Sequence, residues 1–400
     1  MNGGGRGNGG EGDGREGDGR EKEERVTMGG SRRPDSGAAP PVNLAPGPRV
    51  GDRIGAYRLV RLLGEGASGP VFEVVHERLG RRAAMKTLAA EHASHPGAIK
   101  RLFAEALAVN RINHPHIVEI TDLVEAGEHQ LARGGAGSLL SPVNAIVMEL
   151  LEGESLGHAM TSDGPLDAER FLPVMAQVCR ALAAAHGAGF VHRDLKPDNV
   201  FLADRGRDED FVKLLDFGLT KPIRAEPSLS DTPLFATMDG TFVGTPGYVS
   251  PEQASGRPVD HRSDIYAVGV TLYELICGHL PFEAPSVGEL LIHHVSTPAP
   301  HLPDDVRATK LGAMLDAVIQ RCLEKDPELR FSSASRLARL FDDLAGGGDP
   351  TFTGAGSYLG AWASGPPRPP RREVARAAVG LGIGLLLALG VALVAGHLIH

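Results

Sequence analysis

The sequence predicts an α+β fold, strand-rich at first and mostly helical afterwards, and three observations carry that expectation. Two strand-like runs, residues 57–63 and 71–76, flank a glycine-rich turn. Beyond residue 99, apolar side chains recur at three- and four-residue spacing in stretches too long for strands. With 400 residues, 42% of them hydrophobic, the chain is long enough to bury a large core beside terminal appendages.

Residues 1–50 are rich in Gly, Glu, Arg, Asp and Pro and carry almost nothing to bury before Val42 and Leu44. Such a segment cannot offset the entropy of ordering and reads as a disordered tail. It lacks a basic stretch followed by an apolar core and a cleavage site, so no secretory signal is expected. The folded unit is expected at 57–344. It opens with the hairpin just named, followed by a third strand at 81–88. Leu102, Phe103, Ala106, Leu107 and Val109 then line one face of a helix over 99–111. Residues 127–142, rich in Gly, Ala and Ser between two strand-like runs, read as a surface insertion without chemistry. Phe171, Leu172, Met175, Val178, Cys179 and Leu182 mark a later helix, and 311–323 repeats the pattern.

From 346 to 376 the composition turns to Gly, Ser and Pro and ends in a basic cluster, Arg368, Arg371, Arg372 and Arg376. Residues 377–396 then run for twenty positions without a charge, enough to cross a hydrocarbon core of roughly 30 Å. A transmembrane helix is expected there, with the basic side and the folded unit in the cytoplasm. The Gly380 and Gly384 step offers a packing surface for a homodimer. Only four residues follow the span, so no folded external sensor is expected.

The net charge of −9 and pI near 6.0 argue against nucleic acid as the main partner. Cys179, Cys277 and Cys322 lie far apart in apolar helical stretches without metal-ligand spacing and read as reduced core thiols.

Gly64, Glu65, Gly66, Ala67, Ser68, Gly69, Pro70 and Val71 form G-x-G-x-x-G-x-V between two strands, where glycines let a hairpin backbone approach phosphate oxygens. Because Val71 continues as strand rather than helix, a dinucleotide fold is disfavoured. Lys86, in Ala83-Ala84-Met85-Lys86, would project its ammonium toward that loop, and Glu105 on the next helix offers the anion to hold it. Further on come Val191-His192-Arg193-Asp194-Leu195-Lys196-Pro197-Asp198-Asn199 and then Leu214-Leu215-Asp216-Phe217-Gly218.

In that order these runs resemble the catalytic loop and the D-F-G motif of protein kinases, specifically the eukaryotic-like serine/threonine kinases of bacteria. The resemblance implies the bilobal kinase fold, a β-rich N-lobe with one main helix and a mostly helical C-lobe, with ATP in the cleft. It implies Asp194 as catalytic aspartate and Lys196 as the cation that offsets charge on the transferring phosphoryl group. Asn199 and Asp216 would be Mg²⁺ ligands. Leu63, the glycine loop through Val71, Ala84, Lys86 and Glu105 would hold the nucleotide. Val147-Met148-Glu149-Leu150-Leu151 resembles the hinge, with Met148 at the gate, the backbone of Glu149 and Leu151 on adenine, and Val71, Ala84 and Phe201 as apolar walls.

Lys196 and Gly244-Thr245 resemble the serine/threonine branch, implying protein substrates with Ser or Thr acceptors. Ser250-Pro251-Glu252 departs from the family's A-P-E by one small residue, and Glu252 should form a buried bridge with Arg330. Asp264 should hold the catalytic-loop backbone. Arg193 beside Asp194 implies control by phosphorylation of the 216–252 segment, where Thr232, Thr237, Thr241 and Ser228 or Ser230 are candidate acceptors, Thr237 and Thr241 favoured by their position shortly before Gly244-Thr245. The rival reading, a pseudokinase scaffold, sits poorly with the presence of Lys86, Asp194, Asn199 and Asp216 together.

Overall fold

The computed structural model describes residues 47–66, 69–88, 96–130, 139–164, 166–204, 210–216 and 245–347. Residues 1–46 of the N-terminal tail, 348–376 of the linker, the apolar run 377–396 with Gly380 and Gly384, and Ala67, Ser68, Phe217, Gly218, Ser228, Ser230, Thr232, Thr237, Thr241 and Gly244 lie outside the described residues. Among the described residues, no helix is long and apolar enough to cross a membrane.

The first lobe is a closed antiparallel barrel ordered β1-β2-β3-β4-β6-β5. Its strands are β1 (Arg53–Ile54), β2 (Tyr57–Gly66), β3 (Gly69–His76), β4 (Arg82–Thr87), β5 (Ile120–Gln130) and β6 (Leu139–Met148). Alternation along β2 to β4 sends Tyr57, Leu59, Phe72, Val74, Ala83 and Met85 inward, where they meet Ile54, Ala145 and Val147 in a small core. The expected hairpin is present, and Gly64 pairs with Val71 and Gly66 with Gly69, so its strands run into the glycine-rich segment itself. Two features depart from the sequence reading. The two ends of the stretch read as an insertion, 127–130 and 139–142, are strand, with His129 opposite Leu140 and Gln130 opposite Leu139; 131–138 lie outside the described residues. And β1 pairs with both β2 and β5, closing the barrel with a two-residue strand that carries no periodic signal.

The expected helix is α1 (Pro96–Ile112), whose Leu102, Ala106 and Val109 are buried in the larger core of the second lobe and its border. That lobe begins with β7 (Gly153–Ser155) and α2 (Leu156–Asp163), followed by α3 (Ala168–Gly187). The strands β8 (Val200–Ala203) and β9 (Phe211–Leu214) complete a three-stranded sheet ordered β7-β8-β9. The rest is helical: α4 (Pro251–Ala254), α5 (Arg262–Cys277), α6 (Val287–Ser296), α7 (Asp304–Arg307), α8 (Lys310–Cys322) and α9 (Ala334–Ala345).

Helix α5 is the axis of this lobe, buried almost all round from Ser263 to Tyr273. It approaches α8 so closely that a Cβ added at Gly269 would lie 2.5 Å from Cβ of Cys322. Only a residue without a side chain permits that packing. Cys179 and Cys322 are buried free thiols as expected, whereas Cys277 is only partly covered. Burial pushes the Cys322 thiol up to about 12, so it stays protonated and packs as an apolar group.

Candidate active site

The segment after α3 is extended, and its geometry is set by one buried carboxylate. Asp264, in the first turn of α5, accepts the backbone N–H of His192 and of Arg193 at 2.8 Å each. The same side chain bonds His186 Nε2 at 2.8 Å. Burial alone would push Asp264 up, but the His186 hydrogen bond and charge, His192 and the Arg193 N–H prevail and hold it below the usual carboxylate range. Arg193 has φ +67°, a left-handed conformation unfavourable for a side-chain-bearing residue. The two N–H bonds to Asp264 hold that strained turn, and Gln253 adds a bond from Nε2 to the Arg193 carbonyl at 3.0 Å.

His192 is oriented from both ends. Its Nδ1 receives the Asp194 N–H at 3.3 Å, so Nε2 carries the proton and donates to the Leu215 carbonyl at 3.1 Å. This imidazole joins the loop that bears Asp194 to the strand end that bears Asp216. A second link is the Leu215 N–H to the Asn199 carbonyl at 2.9 Å.

Around Asp194 the expected groups converge. Asn199 Nδ2 donates to the Asp194 carbonyl at 2.7 Å and to its Oδ2 at 3.0 Å. Lys196 Nζ lies 4.0 Å from the same Oδ2 and donates to Thr245 Oγ1 at 2.7 Å. Asp194 is about one-third exposed, open to an incoming group, while its orientation is fixed from the protein side. Lys86 stands opposite Val71 on β3 and Ile146 on β6 and is almost fully buried. Its ammonium reaches Asp216 Oδ1 at 2.6 Å. Glu105 lies in α1, and its expected pairing with Lys86 falls outside the described residues, because its side chain is not among them.

Asp216, at φ +41°, turns its carboxylate toward Lys86 and the cleft. With Asn199 Nδ2 committed to Asp194, its Oδ1 is the free end of the amide. An amide oxygen and a carboxylate make a hard-oxygen pair suited to Mg²⁺, which takes few protein ligands and completes its shell with phosphate and water. Among the described residues, no three His, Cys, Asp or Glu converge to hold a metal unaided.

The connection between lobes follows β6. Ala84 is buried opposite Met148, while Val71 and Phe201 are partly covered. The Glu149 N–H is committed to the Glu119 carbonyl at 2.9 Å, which leaves its carbonyl, with the backbone of Leu151, to meet a ligand. This narrows the expectation for Glu149 to one of its two backbone groups. Leu63, Gly64 and Glu65 lie exposed along the β2 edge of the same hairpin. Sequence reasoning passed over Lys213, His186 and Gln253, and only Lys213 left a trace, as a charge inside the apolar run Val212-Lys213-Leu214.

Below the site, Arg330 and Glu252 form the expected buried bridge, bidentate at 2.7 and 2.8 Å. Near it, Lys325 Nζ lies 4.4 Å from the Phe282 ring centroid and donates to the His293 carbonyl at 3.3 Å. Burial first, then the Arg330 charge, push Lys325 down to about 7 against the opposing pull of Glu324. Folded Lys325 therefore binds its proton less tightly than the unfolded chain does. It lowers stability fully below about pH 7 and ceases to as pH rises toward the unfolded value of 10.5. Lys325→Met is expected to raise the thermal midpoint by about 5 °C near pH 6, with a smaller gain at pH 9. Calorimetry at the two pH values checks this; equal gains would assign the effect to packing instead of charge.

The chain matches the family described as protein kinase domain over residues 57–341. It is 41% identical over 308 residues to serine/threonine-protein kinase Pkn1 of Myxococcus xanthus, a match covering 77% of this chain and 40% of that protein. It is 37% identical over 292 residues to PknA of Mycobacterium tuberculosis, covering 73% of this chain and 62% of that protein. The chain thus spans less than two thirds of these relatives' length. Among solved structures, the Mycobacterium tuberculosis PknI kinase domain aligns with a TM-score of 0.52 and 27% identity, over 74% of this chain and 99% of that one. By sequence and by the two-lobed arrangement alike, this chain belongs to the protein kinase family, in its eukaryotic-like bacterial serine/threonine branch.

Proposed function

We propose that this protein transfers the γ-phosphoryl group of ATP to serine or threonine hydroxyls of protein substrates, with Asp194 as the catalytic aspartate. The observation that carries this reading is the convergence of Lys196 and Asn199 on one carboxylate oxygen of Asp194. Phosphoryl transfer has a loose transition state and draws on positioning and charge neutralisation more than on covalent help. Asp194 accepts and orients the proton of the acceptor hydroxyl, its free side facing the cleft. Lys196 offsets charge on the transferring group while Thr245 holds its ammonium beside Asp194. Lys86 receives the nucleotide's α- and β-phosphates, the 64–71 hairpin covers them, and the backbone of Glu149 and Leu151 takes adenine between Val71, Ala84 and Phe201. Mg²⁺ held by Asn199 and Asp216 would neutralise phosphate charge.

Regulation belongs to the same reading. Autophosphorylation at Thr237 or Thr241 would bring an anion toward Arg193. The apolar run 377–396, preceded by its arginines, would tether the kinase to the cytoplasmic face of the cell membrane as a single-pass protein, and its glycine step would favour a homodimer.

The test is incubation of the purified chain with labelled ATP, Mg²⁺ and a generic basic protein. Label is expected on the chain and on the substrate as phosphoserine or phosphothreonine. ATP binding without transfer would replace this reading with that of a scaffold. Removing residues 347–400 is expected to release the protein from the membrane fraction, and continued sedimentation with membranes would overturn the tether.

A further inference from the structure

Lys213 is a buried cation to which the proposed chemistry assigns no task. It sits in β9, three residues before Asp216, with its side chain 6% exposed. Its ammonium donates to Glu149 Oε1 at 2.5 Å and to the Ile117 carbonyl at 3.2 Å. The same Oε1 also accepts the Glu119 N–H at 2.8 Å. On the neighbouring strand β8, the residue paired with Lys213 is Phe201, the expected apolar wall of the adenine site.

One ion pair therefore meets three parts of the nucleotide site. Glu149 supplies the free hinge carbonyl, Phe201 a wall, and β9 leads directly into Asp216. Backbone bonds stitch the same segments together, from the Leu214 N–H to the His116 carbonyl at 2.8 Å and from the Val118 N–H to the Leu214 carbonyl at 3.0 Å. For packing alone this is an expensive arrangement, since desolvating two charges offsets much of their attraction and an apolar side chain would fill the space as well. What an apolar side chain does not supply is a directed, hydrogen-bonded link between hinge and strand.

We propose that Lys213 is a positioning residue that, through Glu149, locks the adenine-binding hinge to the strand that leads into Asp216. Seating of the nucleotide base and placement of the Mg²⁺ ligand are then set by a single pair, its ammonium buried and its carboxylate partly covered. The inference rests on the nucleotide and metal roles proposed above but does not depend on phosphoryl transfer. With Glu149 held by Lys213 through its side chain and by Glu119 through its N–H, its carbonyl has a fixed direction. Without the ammonium, the carboxylate would turn toward water, freeing the hinge and the end of β9 together.

The test uses the full chain and reads ATP affinity by calorimetry with and without Mg²⁺. In the wild type, Mg²⁺ is expected to tighten ATP binding. In Lys213→Met that tightening is expected to fall by up to about tenfold, the low end of the loss when a group bonded directly to a metal ligand is removed, since Lys213 acts one step further back. Lys213→Arg, which keeps the charge and the donors, is expected to restore most of it. A merely structural lysine would lower the thermal midpoint while leaving the Mg²⁺-dependent tightening at the wild-type value, and that result would overturn the proposal. Should Lys213→Met fail to fold, Lys213→Met with Glu149→Gln leaves no buried charge unpaired and is read by the same titration against the same two outcomes. If the wild type shows the tightening but transfers no phosphate, the catalytic reading fails while the positioning role stands.

Discussion

Asp194→Asn is expected to lower phosphoryl transfer by about 10²–10⁴-fold, the range for removing a positioned acid–base group, while ATP affinity stays within a factor of a few. The substitution is close to isosteric. Asn199 Nδ2 now donates to Asp194 Oδ2 at 3.0 Å, and the amide oxygen of the variant can accept the same bond, so the loop keeps its shape. What disappears is the negative charge 4.0 Å from Lys196 and the capacity to take the acceptor proton. The loss should therefore fall on kcat, with little change in KM for ATP. Single-turnover transfer and calorimetric ATP binding on the same preparation check it. Equal loss of binding and turnover would mean that Asp194 holds the fold of the loop instead of serving the chemistry.

The second large effect is on stability. Arg330→Met is expected to destabilise the fold by about 3–5 kcal/mol, because it strands the Glu252 carboxylate where water cannot reach it. The Arg330 and Glu252 side chains are 0% and 3% exposed, and the guanidinium also bonds the carbonyls of Glu324 and Arg262. With Arg330 gone, Glu252 keeps its 2.5 Å bond from the Ser263 hydroxyl, too little to solvate a buried charge. Adding Glu252→Gln should recover part of the loss, since the pair would then leave no buried anion; urea midpoints of the two singles and the double measure the coupling.

The same pair has a pH signature. Burial pushes Glu252 up, but the Arg330 hydrogen bonds and charge prevail and hold it below its ordinary 4.5. Its contribution is full above the unfolded value near 4.5 and is lost as the pH falls through the depressed folded value. In Arg330→Met the acid limb of stability should flatten, since the partner that depressed Glu252 is gone.

Much of the site could be read from sequence because its determinants are local. The 64–71 glycines act within one hairpin, and Asp194, Lys196 and Asn199 fall within six residues, so a single 3₁₀ turn at Pro197–Asn199 is enough to bring them together. Lys86 was legible as a charge in a strand of small apolar residues. The helices from 99, 171 and 311 followed from periodicity, because burying one face leaves a 3.6-residue trace. The two-residue β1 was invisible, since so short a segment has no period and is strand only because β2 and β5 flank it. Residues 127–130 and 139–142 looked like loop because Gly127, Glu128 and Pro142 have weak strand preference and flank the Gly- and Ala-rich run 132–137; barrel pairing overrode that preference.

The sequence by itself thus determined the order of the elements, the family and the chemical groups on offer. Beyond the Glu252–Arg330 bridge and the hold of Asp264 on the catalytic loop, which the family resemblance implied, tertiary structure decided which charges meet. Lys86 found Asp216 130 residues away, Lys213 found Glu149 64 residues away, and Asp264 reached back to His186. The physical reason is that a charge chooses its partner when water is removed around it. Which surfaces lose their water is settled only when barrel, sheet and helices pack, and no local pattern of residues records that event.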